Sequence, residues 1–398
     1  MSSRPLVRTA SLGQRIQAHA GFSVIHPDIP ALNALALRSL VSLFEEKEKL
    51  FSRRVTLTKD GFHREGTSRR RTIIALLGLQ RLAESGEAAP VDVASIRDVV
   101  LGDTSWIRSV GDLGLLTWFT AECAPERVGT LLNELDFGKA LETYSDGRQA
   151  RTRELAWLLA GIVHARLAYP GMVPDLTDIA VDTYHLLQEN QSEGGIFGHA
   201  AFPSFFQRTC CNRFGTFEDQ IYAIYALTSF AKAFQIEEPL ESALRCANAV
   251  RSLQGEMGQW WFLYDKRASR VVNRYPVLSQ QQDGIAPLGL HALGEATGQS
   301  FEESIYKGLS WITGANELGR DLRNQDRACI WDAIGPRRRI TNYWEAALSF
   351  MNSPPVMQAE SLGIRYEARP DHFGWLLYAF GRFGLPKVVL ASGAAAAS

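Results

Sequence analysis

Gln191-Ser-Glu-Gly-Gly195-Ile-Phe197 and Gln254-Gly-Glu-Met-Gly258-Gln-Trp260 share one pattern: Gln, three residues, Gly, one residue, aromatic. The two copies stand 63 residues apart. Each is followed by a long loop and then by an apolar run that opens on an acid. The first run is Asp219-Gln-Ile-Tyr-Ala-Ile-Tyr-Ala-Leu227 and the second is Asp283-Gly-Ile-Ala-Pro-Leu-Gly-Leu-His-Ala-Leu293. The acids fall 28 and 29 residues beyond their glutamines. Features matched in order and spacing mark an internal repeat, in which neighbouring units bury apolar faces that neither could bury alone.

Four other runs begin in a related way: Arg71-Thr-Ile-Ile-Ala-Leu-Leu77, Asp112-Leu-Gly-Leu-Leu-Thr-Trp118, Glu154-Leu-Ala-Trp-Leu-Leu-Ala160 and Asp371-His-Phe-Gly-Trp-Leu-Leu-Tyr-Ala379. Together they make six apolar, small-residue-rich helices, each preceded by an amphipathic one. A helix apolar around most of its circumference must be enclosed by others, whereas a one-sided helix can face water. The pattern predicts an all-α fold, an (α/α)6 toroid of helical hairpins with the six apolar helices inside. Three- and four-residue apolar spacing predicts helices over Ala31–Phe51, Thr72–Ala83, Leu155–Leu167, Asp219–Phe234, Pro239–Leu253 and Phe301–Thr313. Alternating apolar and polar runs are scarce. The long loops Gln191–Phe217, Gly255–Gln282 and Gly314–Ile340 are expected to be functional or to carry short structure of their own. No composition break divides the chain, so residues 1–390 read as one toroid domain and the small-residue tail Ala391–Ser398 as a frayed end.

Composition limits the function. In 398 residues, 46% hydrophobic and 21% charged, there is ample material for a large core. Forty-two Lys and Arg against 43 Asp and Glu provide no broad basic field for nucleic acid. The one dense positive spot, Arg69-Arg70-Arg71, reads as a solvated helix start. Five scattered cysteines, with Cys210 and Cys211 adjacent and no CxxC pair, suit a reducing cytoplasm and no zinc site. Met1–Ala20 has no apolar core of a secretory signal. Leu155–Tyr169 is too short and too interrupted to cross a bilayer. No nucleotide-binding glycine loop, serine nucleophile elbow or metal constellation is present, and no metal or cofactor is expected.

The Gln-x-x-x-Gly-x-Trp/Phe element resembles the QW-type repeat of terpenoid cyclases and protein prenyltransferase β subunits, which are α/α toroids with a central cavity. The resemblance is tightest over Leu187–Gly298. It implies structural roles for Gln191, Phe197, Gln254 and Trp260, which would tie an outer helix end to the next turn. The family's chemistry does not come with it: the chain has no Asp-x-Asp-Asp acid and no aspartate-rich diphosphate run, and Asp326-Arg-Ala-Cys329 lacks the prenyltransferase zinc spacing. The same toroid is also similar to the six-hairpin folds of glycoside hydrolases, polysaccharide lyases and sugar epimerases.

In such rings the N-terminal ends of the inner helices border the cavity mouth, where Asp112, Glu154, Asp219, Asp283 and Asp371 could converge. Paired carboxylates suit acid and base work on a sugar. Each acid can equally be a helix cap that complements the dipole. His199 and His372 are candidate proton carriers, and Glu317 in its polar turn is a further acid. The stretch Gly258-Gln-Trp-Trp-Phe-Leu-Tyr-Asp265 with Tyr275 offers flat faces beside polar groups, as a sugar ring requires. Trp261, Tyr264, Asp265, Tyr275 and His372 are therefore the substrate-binding candidates, with core packing as the competing role. Asp219, Asp283, Glu154, His199 and Asp371 are the catalytic ones. The expected ligand is a small molecule or oligosaccharide. The alternatives are an isoprenoid, which calls for a deep aromatic cavity, and a non-catalytic scaffold, which calls for a filled centre.

Overall fold

A computed structural model describes residues 27–145, 151–171, 174–200, 212–337 and 358–386. The N-terminal segment before residue 27, Cys210, Cys211 and the Ala391–Ser398 tail lie outside the described residues.

Six inner helices occur among the described residues: α2 (Arg69–Ala83), α4 (Val110–Cys123), α7 (Thr152–Ala168), α9 (Phe217–Phe234), α11 (Ala286–Thr297) and α13 (Pro370–Phe380). Each follows an outer element in sequence: α1 (Ile29–Leu43), α3 (Val93–Leu101), the pair α5 (Val128–Glu134) and α6 (Phe137–Ser145), α8 (Pro174–Glu189), α10 (Glu238–Ser252) and α12 (Glu302–Ile312). Inner helices pack in the cyclic order α2, α4, α7, α9, α11, α13 and back to α2. This is the (α/α)6 toroid, and burial separates the two rings. Every residue of α4 from Val110 to Ala121 is buried, whereas α10 buries one face through Ser242, Ala243, Cys246, Ala247 and Val250. The closure between α2 and α13 depends on two glycines, because a Cβ at Gly78 or Gly374 would collide with the backbone of the facing helix.

Caps set where the inner helices begin. Ser68 and Ser109 accept the N3 backbone N–H groups of α2 and α4, and Thr216 with Asp219 forms a reciprocal capping box on α9. A π turn, Gln281–Ile285, leads into α11. Among the described residues no helix is long and apolar enough to cross a membrane.

The long loops hold small antiparallel sheets. One comprises β5 (Phe214–Thr216), β6 (Leu263–Asp265) and β7 (Arg270–Asn273). Another joins β8 (Val277–Leu278), β9 (Ala333–Pro336) and β10 (Leu362–Arg365). A third joins β3 (Val55–Thr58), β4 (Gly61–Arg64) and β11 (Glu367–Ala368). Each sheet contains a strand that runs almost directly into an inner helix, so the sheets cluster at the N-terminal end of the ring. The expected helix over Ala31–Phe51 stops at Leu43. The chain then turns back as β1 (Phe44–Glu45) and β2 (Leu50–Phe51), which puts Phe44 opposite Phe51 with ring centroids 5.3 Å apart. A hairpin lets both rings bury on the same side, and that contact wins over the helical spacing of the apolar residues.

The two repeat elements fold alike. Gln191 Nε2 donates to the carbonyls of Gly195 and Ser242, and Gln254 Nε2 donates to those of Gly258 and Ser304. Each glutamine thus closes its own turn and pins it to the next outer helix. Gly195 and Gly258 take φ of 90° and 92°, and a side chain at either would strike the backbone of that outer helix.

Candidate active site at the N-terminal mouth of the ring

The ring's axis is not open from end to end. Trp157 meets Tyr222 edge-on at 5.2 Å, Tyr222 meets Trp375 at 5.8 Å, and Trp375 meets Trp118 at 5.5 Å. This aromatic chain crosses the middle of the toroid and leaves a cavity at each end.

The cavity at the N-terminal ends, about 350 Å³, is built from the first turns of the inner helices. Helix α2 contributes Arg70, Arg71 and Ile74, α7 contributes Arg153 and Trp157, and α9 contributes Glu218 and Tyr222. Gln280 comes from the turn that leads into α11, Arg369 from the start of α13, Asp371 and Trp375 from α13 itself, and Arg53 and Ser68 from the loop before α2. Five arginines therefore face two carboxylates over an aromatic floor. Cations are unfavourable at helix N-termini, where the dipole is positive, so each arginine needs an acid to hold it there. Arg70 binds Asp112 through Nε and Nη2 at 2.7 and 2.6 Å. Arg153 Nη1 binds Glu218 at 2.6 Å, and Arg369 Nη2 binds Asp332 at 2.8 Å. A guanidinium has five N–H donors, and these bonds use one or two of them. The buried Nε atoms of Arg153 and Arg369 have no hydrogen-bond partner.

Asp371 is the loosely held carboxylate of the mouth. Its buried Oδ1 receives no hydrogen bond and faces Arg71 Nε at 3.4 Å, and its Oδ2 meets Gln280 Nε2 at 3.5 Å. Its side chain remains 14% exposed. Burial lowers the Arg71 pKa, and the Asp371 charge opposes that shift. Burial also pushes the Tyr222 phenol well above its ordinary value, and the charges of Glu218 and Asp371 add to the rise. The phenol is held neutral between the two acids.

The other residues singled out from the sequence lie elsewhere. Asp219 is fully buried, accepting from Thr216, from the Arg153 backbone N–H and, at 2.9 Å, from His199 Nδ1. Asp283 is fully buried and takes both of its short contacts, 2.8 and 2.9 Å, from His372 Nε2. Glu154 is buried beside Gly111. Asp265 ties a hairpin, accepting from Arg213 and from the backbone of Arg267 and Ala268. Tyr264 is buried against Phe217, and Trp261 packs edge-on against Tyr275, whose hydroxyl donates to Glu317. Trp311 and Gln259 donate to the same Glu317 carboxylate, which makes it the anchor of its turn. Of the named candidates, Asp371 alone lines this cavity among the described residues. Arg70 and Arg71, read as a solvated helix start, point into it instead. Arg153, Glu218, Trp157, Tyr222, Arg369 and Trp375 went unread, although several are charges in the first turn of an apolar helix.

No known protein-family profile matches the chain, and no curated protein matches it in sequence. Solved structures match it in shape. A heparin-specific unsaturated glucuronyl hydrolase superposes with a TM-score of 0.58 at 12% identity, over 89% of this chain and 96% of that one. A sugar epimerase from a ruminal bacterium reaches 0.60 at 8% identity, over 90% and 100% of the two chains. The cellobiose 2-epimerase of Bacillus thermoamylovorans reaches 0.60 at 9% identity, over 89% and 99%. Identities this low carry the fold alone. In fold, then, the chain is similar to glycosidase-type and epimerase toroids, and its likeness to terpenoid cyclases rests on the glutamine repeat.

Proposed function

We propose that this protein is a carbohydrate-active enzyme that takes an acidic saccharide at the N-terminal mouth and uses Asp371 as general acid or base. The observation that carries the reading is the loosely held Asp371 carboxylate in a cavity with five arginines and three aromatic rings. Spare guanidinium donors bind a uronate carboxylate or a sulfate in the forked geometry that suits arginine. Trp157, Tyr222 and Trp375 offer faces for the C–H side of a sugar ring. Glu218, fixed by Arg153, is the second carboxylate that hydrolysis, elimination or epimerisation needs. The likeness in fold to a glucuronyl hydrolase and to sugar epimerases supports this class. An isoprenoid substrate calls for a deep apolar wall, and the charged lining gives it no support.

The test is incubation with uronate-containing, sulfated and neutral disaccharides, with products followed by NMR and mass spectrometry. Turnover of an acidic disaccharide, reduced at least a hundredfold in a folded Asp371→Asn variant, is expected. Turnover confined to neutral sugars overturns the acidic-substrate reading. Neither turnover nor binding of any saccharide at this mouth leaves a scaffold.

A further inference from the structure

The second cavity, about 430 Å³, lies at the opposite end of the ring. It is formed by the C-terminal halves of α2, α7, α9 and α13 and by α11 from Pro287 to Glu295. The Trp375–Trp118 contact lies between it and the N-terminal mouth. Its floor is a hydrogen-bonded cluster around the Glu122 carboxylate. Glu122 Oε1 accepts from Trp118 Nε1 at 2.9 Å, Arg81 Nη2 at 3.0 Å and the Tyr378 hydroxyl at 2.6 Å, with His164 Nδ1 at 3.1 Å. His164 Nε2 meets the Tyr225 hydroxyl at 2.9 Å, and the two phenols meet at 3.0 Å. Trp118 stacks beneath both His164 and Tyr225. Such a network fixes the positions of several polar groups at the base of a pocket.

Three polar atoms on residues of the lining are left over. Arg81 Nε, Thr228 Oγ1, on a fully buried residue, and His291 Nε2 all lack a hydrogen-bond partner, and all three residues line this cavity. A buried polar group without a partner costs about 1–3 kcal/mol, so three of them on residues around one cavity call for an occupant. Charge narrows its class. The lining holds Arg81, Lys232 and Arg382 against Glu84 and Glu295, and Arg81 and Arg382 are already paired with Glu122 and Glu295. Helix C-termini present carbonyls and the negative end of the dipole, which accept hydroxyl donors and disfavour anions. Burial pushes the His291 pKa down to about 4, so near neutral pH the ring adds no charge. Val163, Pro287 and Leu288 supply the apolar part of the wall.

From the leftover Thr228 and His291 atoms, the fixed phenol and imidazole floor and the near-balanced charge, we infer that the C-terminal cavity is a second ligand site, for a small, neutral, hydroxyl-rich molecule such as a monosaccharide or polyol. It is independent of the acidic-saccharide reading at the other mouth.

Isothermal titration of the full chain tests it, with methyl glucoside, myo-inositol and glycerol as neutral probes and glucuronate as the anionic one. A neutral probe binds with one equivalent. Its affinity falls at least tenfold in Thr228→Val and in His291→Phe, and it is retained in Thr228→Ser and in Asp371→Asn. Absence of binding by every neutral probe overturns the inference. So does affinity unchanged in both Thr228→Val and His291→Phe, or affinity lost only in Asp371→Asn, which would place the probe at the N-terminal mouth.

Discussion

Gln220 and Gln282 do the same work in successive hairpins. Gln220 Oε1 accepts the Phe197 backbone N–H at 2.7 Å while its Nε2 donates back to the Phe197 carbonyl, and Gln282 brackets Trp260 in the same way at 3.1 and 3.5 Å. Both glutamines are buried, so losing one leaves a backbone N–H and a carbonyl unpaired in the core. Gln220→Leu is expected to cost about 2–3 kcal/mol, read as a lower urea midpoint with an unchanged slope. Gln282→Leu is expected to cost less, because its bonds are longer. Equal stability of either variant and the wild type would mean that the turn finds other partners.

This equivalence also explains how the repeat was legible while its acids were misaligned. Matching the buried glutamines sets Asp219 against Gln281, not against Asp283. Asp219 caps α9 and Asp283 faces α13, so the two acids have different surroundings and neither reaches the mouth. The ring itself could be read because inner helices such as α4 are apolar on every side, a property of the local sequence. The mouth could not be read in the same way. Arg70, Arg153, Glu218 and Arg369 come from four separate parts of the chain, and only the closed ring brings them together. One local signal was available: arginines in the first turn of a helix oppose its dipole, so the Arg69-Arg70-Arg71 run asks for acids across the ring. Asp103, Asp112 and Asp371 meet it there.

The Asp283 and His372 pair staples the π turn that leads into α11 to α13 inside the wall. Burial raises the Asp283 pKa, and His372 opposes that rise. Removing the imidazole leaves a carboxyl with no such counterweight, so His372→Phe is expected to cost about 3–5 kcal/mol. The carboxyl pKa then moves higher still. A raised carboxyl makes the folded state bind more protons than the unfolded one, and stability falls as pH rises through that window. Denaturation from pH 5 to pH 8 should show the deficit of His372→Phe growing with pH, and a deficit constant with pH contradicts the account.

His199 and Asp219 make a pair of opposite sense. The Asp219 charge, their hydrogen bond adding to it, raises the His199 pKa above the ordinary 6.5, against burial and the nearby arginines. For Asp219, burial pushes upward, but His199 and Thr216 together hold the carboxyl below its usual value. A histidine whose pKa rises on folding contributes stability that is complete below pH 6.5 and disappears as pH rises through the folded value. The wild type should therefore lose its melting-temperature advantage over His199→Phe above neutral pH. The imidazole is 38% exposed, so the effect is screened and small. Proton NMR titration of the His199 ring checks the cause directly, and a midpoint at or below 6.5 rules it out.

Arg153 carries the sharpest prediction at the mouth. Its guanidinium binds Glu218 at 2.6 Å, lies over the Trp157 ring at 5.2 Å, and keeps a buried Nε without a partner. Arg153→Lys preserves the charge and the pairing with Glu218 but removes the planar fork. If that fork receives the anionic group of the substrate, KM for an acidic disaccharide rises about tenfold or more while kcat changes little. Arg153→Met removes the charge as well and releases Glu218, so kcat should fall along with affinity. A Lys variant with unaltered KM would assign Arg153 to holding Glu218 alone and leave recognition of the anion to Arg369 and Arg71.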